Sequence, residues 1–334
     1  MLKSKLLTIG IDVSKKKLDI TFIQDASDKT HRHFIISNCK KGVLQLLKET
    51  QKLGYSPKEL LVCFEHTGIY SMPLCYYLQE LEVSYTMVPA IEIHRSKGLT
   101  RGKNDKVDSR DIAYYAITHR HKIKPTQLPT KILVKLKYLL SFRDKLVRAI
   151  GSFQRTKELE GFLPKEMIEE VIFVNRQTIS LLKKRLKSID QKIEELIQTD
   201  PQLFEKFKLA KSVIGVGNQT AMQLLITTQG FTTFDNWRKL ACYCGTAPFE
   251  YSSGSSIRGR TKVSPIANKK LKSVLNMAAI TAIRYDPELK KYYERKLEEG
   301  KNAMLVINSV RCKILSRVMA TVKRETPYVK LGAY

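Results

Sequence analysis

The sequence is short of acidic residues, and this shortage is its first informative feature. Its 334 residues include 59 Lys and Arg but only 32 Asp and Glu, which gives a formal net charge of +27 and a pI near 9.8. A surplus of positive charge this large favours a polyanionic partner, and nucleic acid is the leading candidate. A membrane surface is the rival, but no apolar run approaches the roughly 20 residues of a spanning helix and we find no signal peptide. We therefore expect a cytoplasmic protein that binds nucleic acid and no membrane.

Signatures of several other protein classes are missing as well. The six cysteines form no CxxC pair and lie mostly in apolar segments, and the six histidines lack zinc-ligand spacing with them. We therefore expect reduced, buried thiols and no zinc site. The chain has no GxxxxGK[ST] loop for nucleotide hydrolysis and no evident zinc finger or recognition helix-turn-helix. By itself it is expected to read DNA sequence poorly.

An acidic residue stands at the end of the first predicted β-strand. The residues from Leu6 to Ile23 predict two strands, an apolar run with Gly10, which allows close backbone approach, and an alternating strand after a polar turn. Asp12 ends the first of these strands. A charge beside a buried strand is costly unless it is paired or binds a metal, so Asp12 requires a partner. Capping of the turn is the alternative explanation.

A second acid follows another predicted strand in the same way. Strands near 33–36, 60–64 and 83–88 alternate with helices near 41–53 and 70–81, and a further helix begins after Pro89. This order suggests a mixed sheet with helices on its faces, which we place in a first domain at residues 1–125. Glu65 comes just past the strand at 60–64. An exposed loop acid or a helix cap would also explain Glu65.

Two more acids share one face of the next predicted helix, where Asp105 and Asp108 are three residues apart. Carboxylates so placed repel each other unless a cation lies between them. The oxygen atoms of Asp12, Glu65, Asp105 and Asp108 together would suit Mg²⁺ or Mn²⁺. A solvated helix face is the alternative, and Asp111 could replace one of the pair.

Residues 126–205 predict a helical connector. Pro125 and Pro129 mark a linker, after which two helical segments flank a GFLPKE turn. Their apolar seams have heptad-like spacing, with Leu133, Leu136, Leu140, Val147 and Ile150 in the first and Ile179, Leu182, Leu186, Ile189, Ile193 and Leu196 in the second. An antiparallel hairpin within one chain fits this pattern, and so does a coiled coil between chains. We favour the coiled coil, and hence a homo-oligomer of two or four chains.

The last predicted domain, residues 206–334, combines a helix-hairpin-helix-like element with a basic strip. Gly215 and Gly217 would let the hairpin backbone approach a phosphate, although an ordinary turn between helices is the alternative. From 251 to 283, across a predicted flexible loop at 251–260 and a basic helix, there is no Asp or Glu. This interval contains six cations: Arg258, Arg260, Lys262, Lys269, Lys270 and Lys272. They predict a phosphate-binding strip with salt-dependent, sequence-independent affinity, unless they form a merely solvated surface.

The four acids and their surroundings resemble the DEDD tetrad of transposases in the insertion sequence one-ten family, which includes pilin-gene invertases. The matching segments are GIDVSKKKLDI, FEHTGIY, VPA and KNDKVDSRDIA, in which Asn104 departs mildly from the usual pattern, and GTAPFEYSSGSSIRGRTKVS further on. The resemblance implies a RuvC-like, ribonuclease H-like N-terminal domain with a Mg²⁺ site. It also implies that the serine before the glycine, Ser253, is a nucleophile, with neighbouring Ser252 as the alternative.

The residues and the resemblance together predict a recombinase with an α/β RuvC-like N-terminal domain, a helical coiled-coil connector and a mainly α C-terminal transposase domain. The four acids would hold Mg²⁺, and Ser253 would attack the scissile phosphate to form a phosphoserine that keeps the phosphoester energy for rejoining. The predicted partners are donor and target DNA and, as the resemblance implies, a noncoding bridge RNA. The rival interpretations are a metal-dependent nuclease that resolves Holliday junctions with water and a non-catalytic nucleic-acid-binding factor.

Overall fold

The computed structural model describes residues 6–24, 31–96, 104–253 and 257–329, except for the side chains at 250–253, 257, 258, 260 and 261. Contacts divide the chain into two units, residues 1–128 and 129–334. The further division of the second unit at 205 stays a prediction. Within the described residues, no helix is both long enough and apolar enough to cross a membrane.

The first unit is built on a five-stranded mixed sheet. Its elements in chain order are β1 (Leu7–Val13), β2 (Lys17–Ile23), β3 (Arg32–Ser37), α1 (Lys40–Lys52), β4 (Leu60–Glu65), α2 (Met72–Glu80), β5 (Tyr85–Val88), α3 (Ala90–Ser96) and α4 (Asp105–Thr118). The strand order is β3-β2-β1-β4-β5. The first three strands form an antiparallel meander, and β4 and β5 run parallel to β1. This is the topology expected for the predicted ribonuclease H-like domain.

Alternating side chains of β4 explain why helices cover both faces of this sheet. Val62 and Phe64 are fully buried in a cluster with residues of α1 and α2. Cys63 points to the other face, where it packs with Ile112 of α4. Because successive side chains of a strand point to opposite faces, a strand covered on both sides is apolar throughout. The predicted mixed α/β fold class is therefore confirmed.

The second unit is mainly helical. Its elements are α5 (Lys131–Arg155), α6 (Lys165–Gln198), α7 (Pro201–Ser212), α8 (Asn218–Thr227), α9 (Trp237–Tyr243), β6 (Pro248–Ser253), β7 (Ile257–Val263), α10 (Lys269–Tyr285), α11 (Pro287–Glu298) and α12 (Ala303–Arg324). One hydrophobic core contains residues from the N-terminal half of α5, the C-terminal end of α6 and the helices α7–α12. Val310, Ile314 and Leu315 of α12 are fully buried in it.

The long helices α5 and α6 form a hairpin within the chain, in which Arg143 Nε donates to Asp190 Oδ1 at 2.5 Å. Most of the predicted seam residues of α5 are buried, but Val147 is 43% exposed and its neighbour Leu146 is buried instead. A coiled coil between chains stays a prediction.

The predicted flexible loop at 251–260 is wrong in its backbone conformation. Residues 248–253 and 257–263 form β6 and β7, an antiparallel pair with an irregularity between Phe249 and Tyr251. Serine and glycine are poor strand formers. The pairing nevertheless forms because two adjacent segments satisfy each other's backbone hydrogen bonds. This stabilisation comes from the pair of segments, so the strand preferences of single residues do not predict it.

Candidate metal and nucleic-acid site

Two of the predicted acids lie side by side at one edge of the sheet. Strands β1 and β4 are parallel and pair as far as Ile11 and Phe64, so the next residues, Asp12 and Glu65, occupy adjacent strand ends. Both are partly buried. The carboxyl ends of neighbouring parallel strands are where open α/β sheets place their functional groups.

Gly10 lets helix α4 approach these strands. A Cβ atom at Gly10 would stand 2.2 Å from the carbonyl oxygen of Ser109 and 2.4 Å from the backbone nitrogen of Ala113. No other residue type fits in that space without moving the helix. A hydrogen bond of 2.8 Å between the hydroxyls of Thr21 and Ser109 ties α4 to β2 as well.

The other two acids lie in the first turn of α4. Asn104 caps this helix, because its side chain accepts a hydrogen bond from Lys106 N at 3.0 Å. The departure at Asn104 is therefore conservative, since Asn caps as well as Ser or Thr. The helix dipole favours negative charge at its N-terminus, which offsets part of the repulsion between Asp105 and Asp108.

Electrostatics shows that the four predicted acids are close neighbours. The pKa of Asp12 is raised from 3.8 to about 6, first by burial and then by the charges of Asp108, Asp105, Asp19 and Glu65. Within the described residues, however, no three His, Cys, Asp or Glu side chains are grouped tightly enough to form a ready-made metal site. The fold thus brings Glu65, Asp105 and Asp108 within electrostatic range of Asp12.

The sequence interpretation missed two charged residues at this site, Asp19 and Lys17. Asp19 pairs directly opposite Asp12 in the hairpin and is 3% exposed. Its carboxylate lies 3.1 Å from Lys17 Nζ and 3.3 Å from His33 Nε2. Lys17 Nζ also donates to Asp105 Oδ2 at 2.7 Å, and these two carboxylates, Asp105 first, raise the pKa of Lys17. The sequence did contain a signal for Asp19, because it is an acid inside the second alternating strand, seven residues after Asp12 and across a short turn from it.

The donor set suits a hard divalent cation. Asp12, Glu65, Asp105 and Asp108 supply only oxygen atoms, the ligands preferred by Mg²⁺ and Mn²⁺. Burial and then the negative charges of neighbouring acids raise the pKa of Asp12, and a bound cation would favour its ionised form. Asp111, the possible replacement, lies 3.5 Å from Arg110.

The predicted helix-hairpin-helix element consists of α7, α8 and the turn between them. Gly215 has φ of +91°, and a Cβ there would stand 2.4 Å from Ala278 O of α10. Gly217 has no atom within 4 Å of such a Cβ. Helix α10 therefore occupies the space beside Gly215, and Gly217 is the glycine with open space for close approach.

The basic strip is only partly described. Lys262, Lys269 and Lys270 are exposed and Lys272 is partly buried, and Lys270 Nζ pairs with Asp144 Oδ2 at 2.5 Å. Lys270 therefore has its own internal counter-ion. The side chains of Ser252, Ser253, Arg258 and Arg260 lie outside the described residues, although Ser253 is the last residue of β6.

Comparisons with known proteins agree with these features. A family model described as a transposase, the DEDD family of IS110, matches residues 9–164, and a second, described as the transposase IS116/IS110/IS902 family, matches residues 208–294. The chain is 26% identical to the pilin gene-inverting protein of Moraxella bovis over 96% of this chain and 97% of that protein. It is 24% identical to the transposase for insertion sequence element IS1533 of Leptospira borgpetersenii, over 69% and 72% of the two chains.

Among solved structures, RuvC of T. thermophilus in complex with a Holliday junction substrate matches 36% of this chain and 99% of its own, with 12% identity and a TM-score of 0.26. A score this low supports no conclusion about this chain. The two family models together span both units and include all four predicted acids and Ser253. The chain belongs to the IS110 family of DEDD transposases.

Proposed function

We propose that this transposase cuts and rejoins DNA strands with a site in which Asp12, Glu65, Asp105 and Asp108 hold Mg²⁺, or Mn²⁺, and Ser253 is the nucleophile. The observation that supports this proposal is the gathering of carboxylates around Asp12 at the end of β1, where burial and the charges of these acids raise its pKa to about 6. Titratable groups whose pKa is shifted by burial and by neighbouring charges are common at catalytic sites.

A cation held by Asp12, Glu65, Asp105 and Asp108 would neutralise charge on the scissile phosphate. The Ser253 oxygen forms a bond to phosphorus, and the bond from phosphorus to one sugar oxygen breaks. A carboxylate of the tetrad accepts the serine proton, because a serine hydroxyl is a weak nucleophile without a base, and passes this proton to the sugar oxygen, which leaves as a hydroxyl. A sugar hydroxyl of the new partner strand then displaces Ser253, so no ATP is consumed.

The basic surface supports binding of donor and target DNA. Lys262, Lys269 and Lys272 contribute salt-dependent affinity without sequence preference. The name of the Moraxella relative says that it inverts a gene, which supports a site-specific rearrangement. We propose that a noncoding bridge RNA supplies the sequence choice, since the chain offers no evident recognition helix. Sequencing of RNA that co-purifies with the tagged protein from its host tests this: a discrete RNA with segments complementary to both DNA partners is expected, and random cellular RNA would contradict it.

A covalent-adduct assay tests the catalytic proposal. Labelled DNA is incubated with Mg²⁺ and denatured in SDS, and a slower protein band that carries label is the expected phosphoserine adduct. Ser253→Ala should abolish the adduct while Ser252→Ala, the matched control, retains it, and Asp12→Asn or EDTA should abolish cleavage.

Two results would overturn this assignment. Metal-dependent cleavage that persists in Ser253→Ala without any adduct would establish the water-using nuclease instead. Cleavage that is unaffected by Asp12→Asn would remove the carboxylates from the reaction.

We further propose that the end of the α5–α6 hairpin binds a second copy of the chain. Large apolar side chains are exposed there, and Phe162 is 86% and Met167 73% exposed. Others are Phe153, Leu163, Val171, Phe173 and Val174. Exposed apolar groups in such a patch are typical of a protein interface.

Light scattering after size-exclusion chromatography tests this interface. Val174→Asp is expected to lower the oligomeric state, whereas Tyr285→Asp, which changes an equally exposed side chain at the end of α10, should leave it unchanged. A Val174→Asp protein with the wild-type mass would contradict the interface.

A further inference from the structure

A large cavity in the second unit has a basic wall with no acidic residue. Its volume is about 950 Å³, within the roughly 300–1,000 Å³ of small-molecule sites. Residues of α9, β7, α10, α11 and α12 surround it. Five cations line it: Arg238, Lys262, Lys272, Arg311 and Lys313. No Asp or Glu is among its lining residues in the described chain, so its field favours an anion.

Arg311 is the unusual member of this wall. Arg311 is 4% exposed, and among the described residues it donates only to neutral amides, from Nη1 to Asn308 Oδ1 at 3.2 Å and from Nη2 to Asn276 Oδ1. Its Nε has no hydrogen-bond partner among the described residues. Burial lowers the pKa of Arg311. A buried charge is normally paired with an opposite charge, and the described residues offer Arg311 none.

Another arginine of the same helix shows the usual arrangement. Arg317, six residues further along α12, is bonded at 2.6 Å to Asp286 and at 2.6 Å to Glu288. Among the described residues, carboxylates bind the guanidinium of Arg317 and only amides bind that of Arg311. A buried guanidinium without a described counter-ion, in the wall of a cavity, is suited to a ligand that supplies the negative charge.

The remaining wall adds a second feature, an aromatic and apolar surface. Trp237 and Tyr292 line the cavity together with Leu305. Lys313 Nζ lies 4.5 Å from the centre of the Tyr292 ring, and the Arg238 guanidinium lies 4.9 Å from the Trp237 ring. Both rings are partly buried. Aromatic rings with cations beside them are typical of sites that bind single-stranded nucleic acid, where bases stack on the rings.

The first turn of α12 faces the same cavity. Asn302 and Met304 line it, and the Asn302 side chain caps the 22-residue helix by accepting from Met304 N at 2.9 Å. The positive end of the helix dipole thus adds to the field of the five cations.

We propose that this cavity binds one nucleotide of a single nucleic-acid strand, with its phosphate paired to Arg311 and Lys272 and its base against the aromatic wall. The inference does not rest on the carboxylate site, because the two groups of residues belong to different units. Lys262 and Lys272 of the basic strip line this cavity, so the cavity would be a discrete strand-holding site at which part of the strip acts.

Trp237 is the only tryptophan of the chain and therefore reports on this cavity. Titration of the full-length protein in EDTA with dT₁₂ or rU₁₂ should quench its fluorescence with saturation. Mononucleotide dTMP should compete more strongly than thymidine or inorganic phosphate alone. The relative affinities of dT₁₂ and rU₁₂ identify DNA or RNA as the preferred source of the nucleotide. No saturable change with either strand would overturn the proposal.

Matched variants locate the binding. Lys272→Gln should weaken the quenching titration at least about tenfold, as expected for loss of one charged hydrogen bond. Lys291→Gln, which removes the same charge from the exposed surface of α11, should stay near wild type. Equal affinities of these two variants for the oligonucleotide would show that the strand binds outside this cavity and would contradict the proposal.

Two further variants separate this site from structure and from catalysis. Arg311→Met should lose binding while circular dichroism and melting temperature show a folded protein, because no acid loses its partner. If Arg311→Met instead unfolds the chain, Arg311→Lys, which keeps the charge, must retain binding; its loss of binding with a native spectrum would contradict the phosphate contact. Asp12→Asn should bind normally, so failure of the cavity and failure of the carboxylate site give different results.

Discussion

Replacement of Asp12 by Asn is expected to stabilise the metal-free first unit above pH 6 while it abolishes DNA cleavage. The pKa of Asp12 is about 6 in the folded protein, against an ordinary value of 3.8. Burial and four neighbouring acids make its ionised form unfavourable there. Each unit of pKa corresponds to about 1.4 kcal/mol, so the ionised Asp12 lowers the free energy of unfolding by about 3 kcal/mol. Screening by solvent at this partly exposed site lowers the expected gain to about 1–3 kcal/mol.

The direction of the pH dependence follows from the same two values. Below about pH 4 the carboxyl is protonated in both the folded and the unfolded chain, so Asp and Asn should be equally stable. Between pH 4 and 6 the unfolded chain releases the proton first, which lowers the stability of the wild type relative to the variant. Above pH 6 the difference should reach its plateau.

Hydrogen exchange of the β1 amides measures this effect, because Trp237 lies in the other unit and does not report on Asp12. The opening free energies of the wild type and Asp12→Asn are compared in EDTA from pH 4 to 8. Glu298→Gln, which replaces an exposed acid of α11, serves as the control, and its opening free energy should differ from that of the wild type by the same amount at every pH. Mg²⁺ should then stabilise the wild type more than the variant. A difference that does not change with pH, or a variant less stable than the wild type at pH 7, would refute the electrostatic reasoning.

Three other changes have outcomes that the structure determines. Gly10→Ala should lower the free energy of unfolding in thermal melts by about 1–3 kcal/mol or more, because the added Cβ would overlap α4. Gly151→Ala, at a position within α5 where the Cβ would meet open space, should raise the free energy of unfolding by about 0.5–1 kcal/mol. Lys17→Met should raise the pKa of Asp12 further, as followed by carboxyl NMR, since a positive charge leaves the acid cluster; an unchanged pKa would contradict this. Asp286→Ala should lower the unfolding free energy by about 3–5 kcal/mol, because it removes the cap of α11 and leaves Arg317 without its buried partner.

Local patterns predicted most of the first unit. The apolar runs of β1 and β4 and the acids that follow them are properties of consecutive residues, and the strands begin and end close to where the alternation does. The serine-rich hairpin β6–β7 was missed, because its stability comes from pairing between segments. The shift from Val147 to Leu146 on α5 has a similar cause, since the packed partner decides which side of a helix is buried.

The sequence by itself determined the four acids, the excess of positive charge and the family resemblance, because these are carried by residue types at fixed spacings. Only the tertiary structure decided which charges are balanced. Asp19 lies opposite Asp12 through strand pairing, and Lys17 links Asp19 to Asp105 of a helix 88 residues away in sequence. In the part of the chain that the structure describes, the fold brings amides to Arg311 and carboxylates to Arg317. Coulomb interactions depend on distance in space, and the order of residues along a chain does not specify that distance.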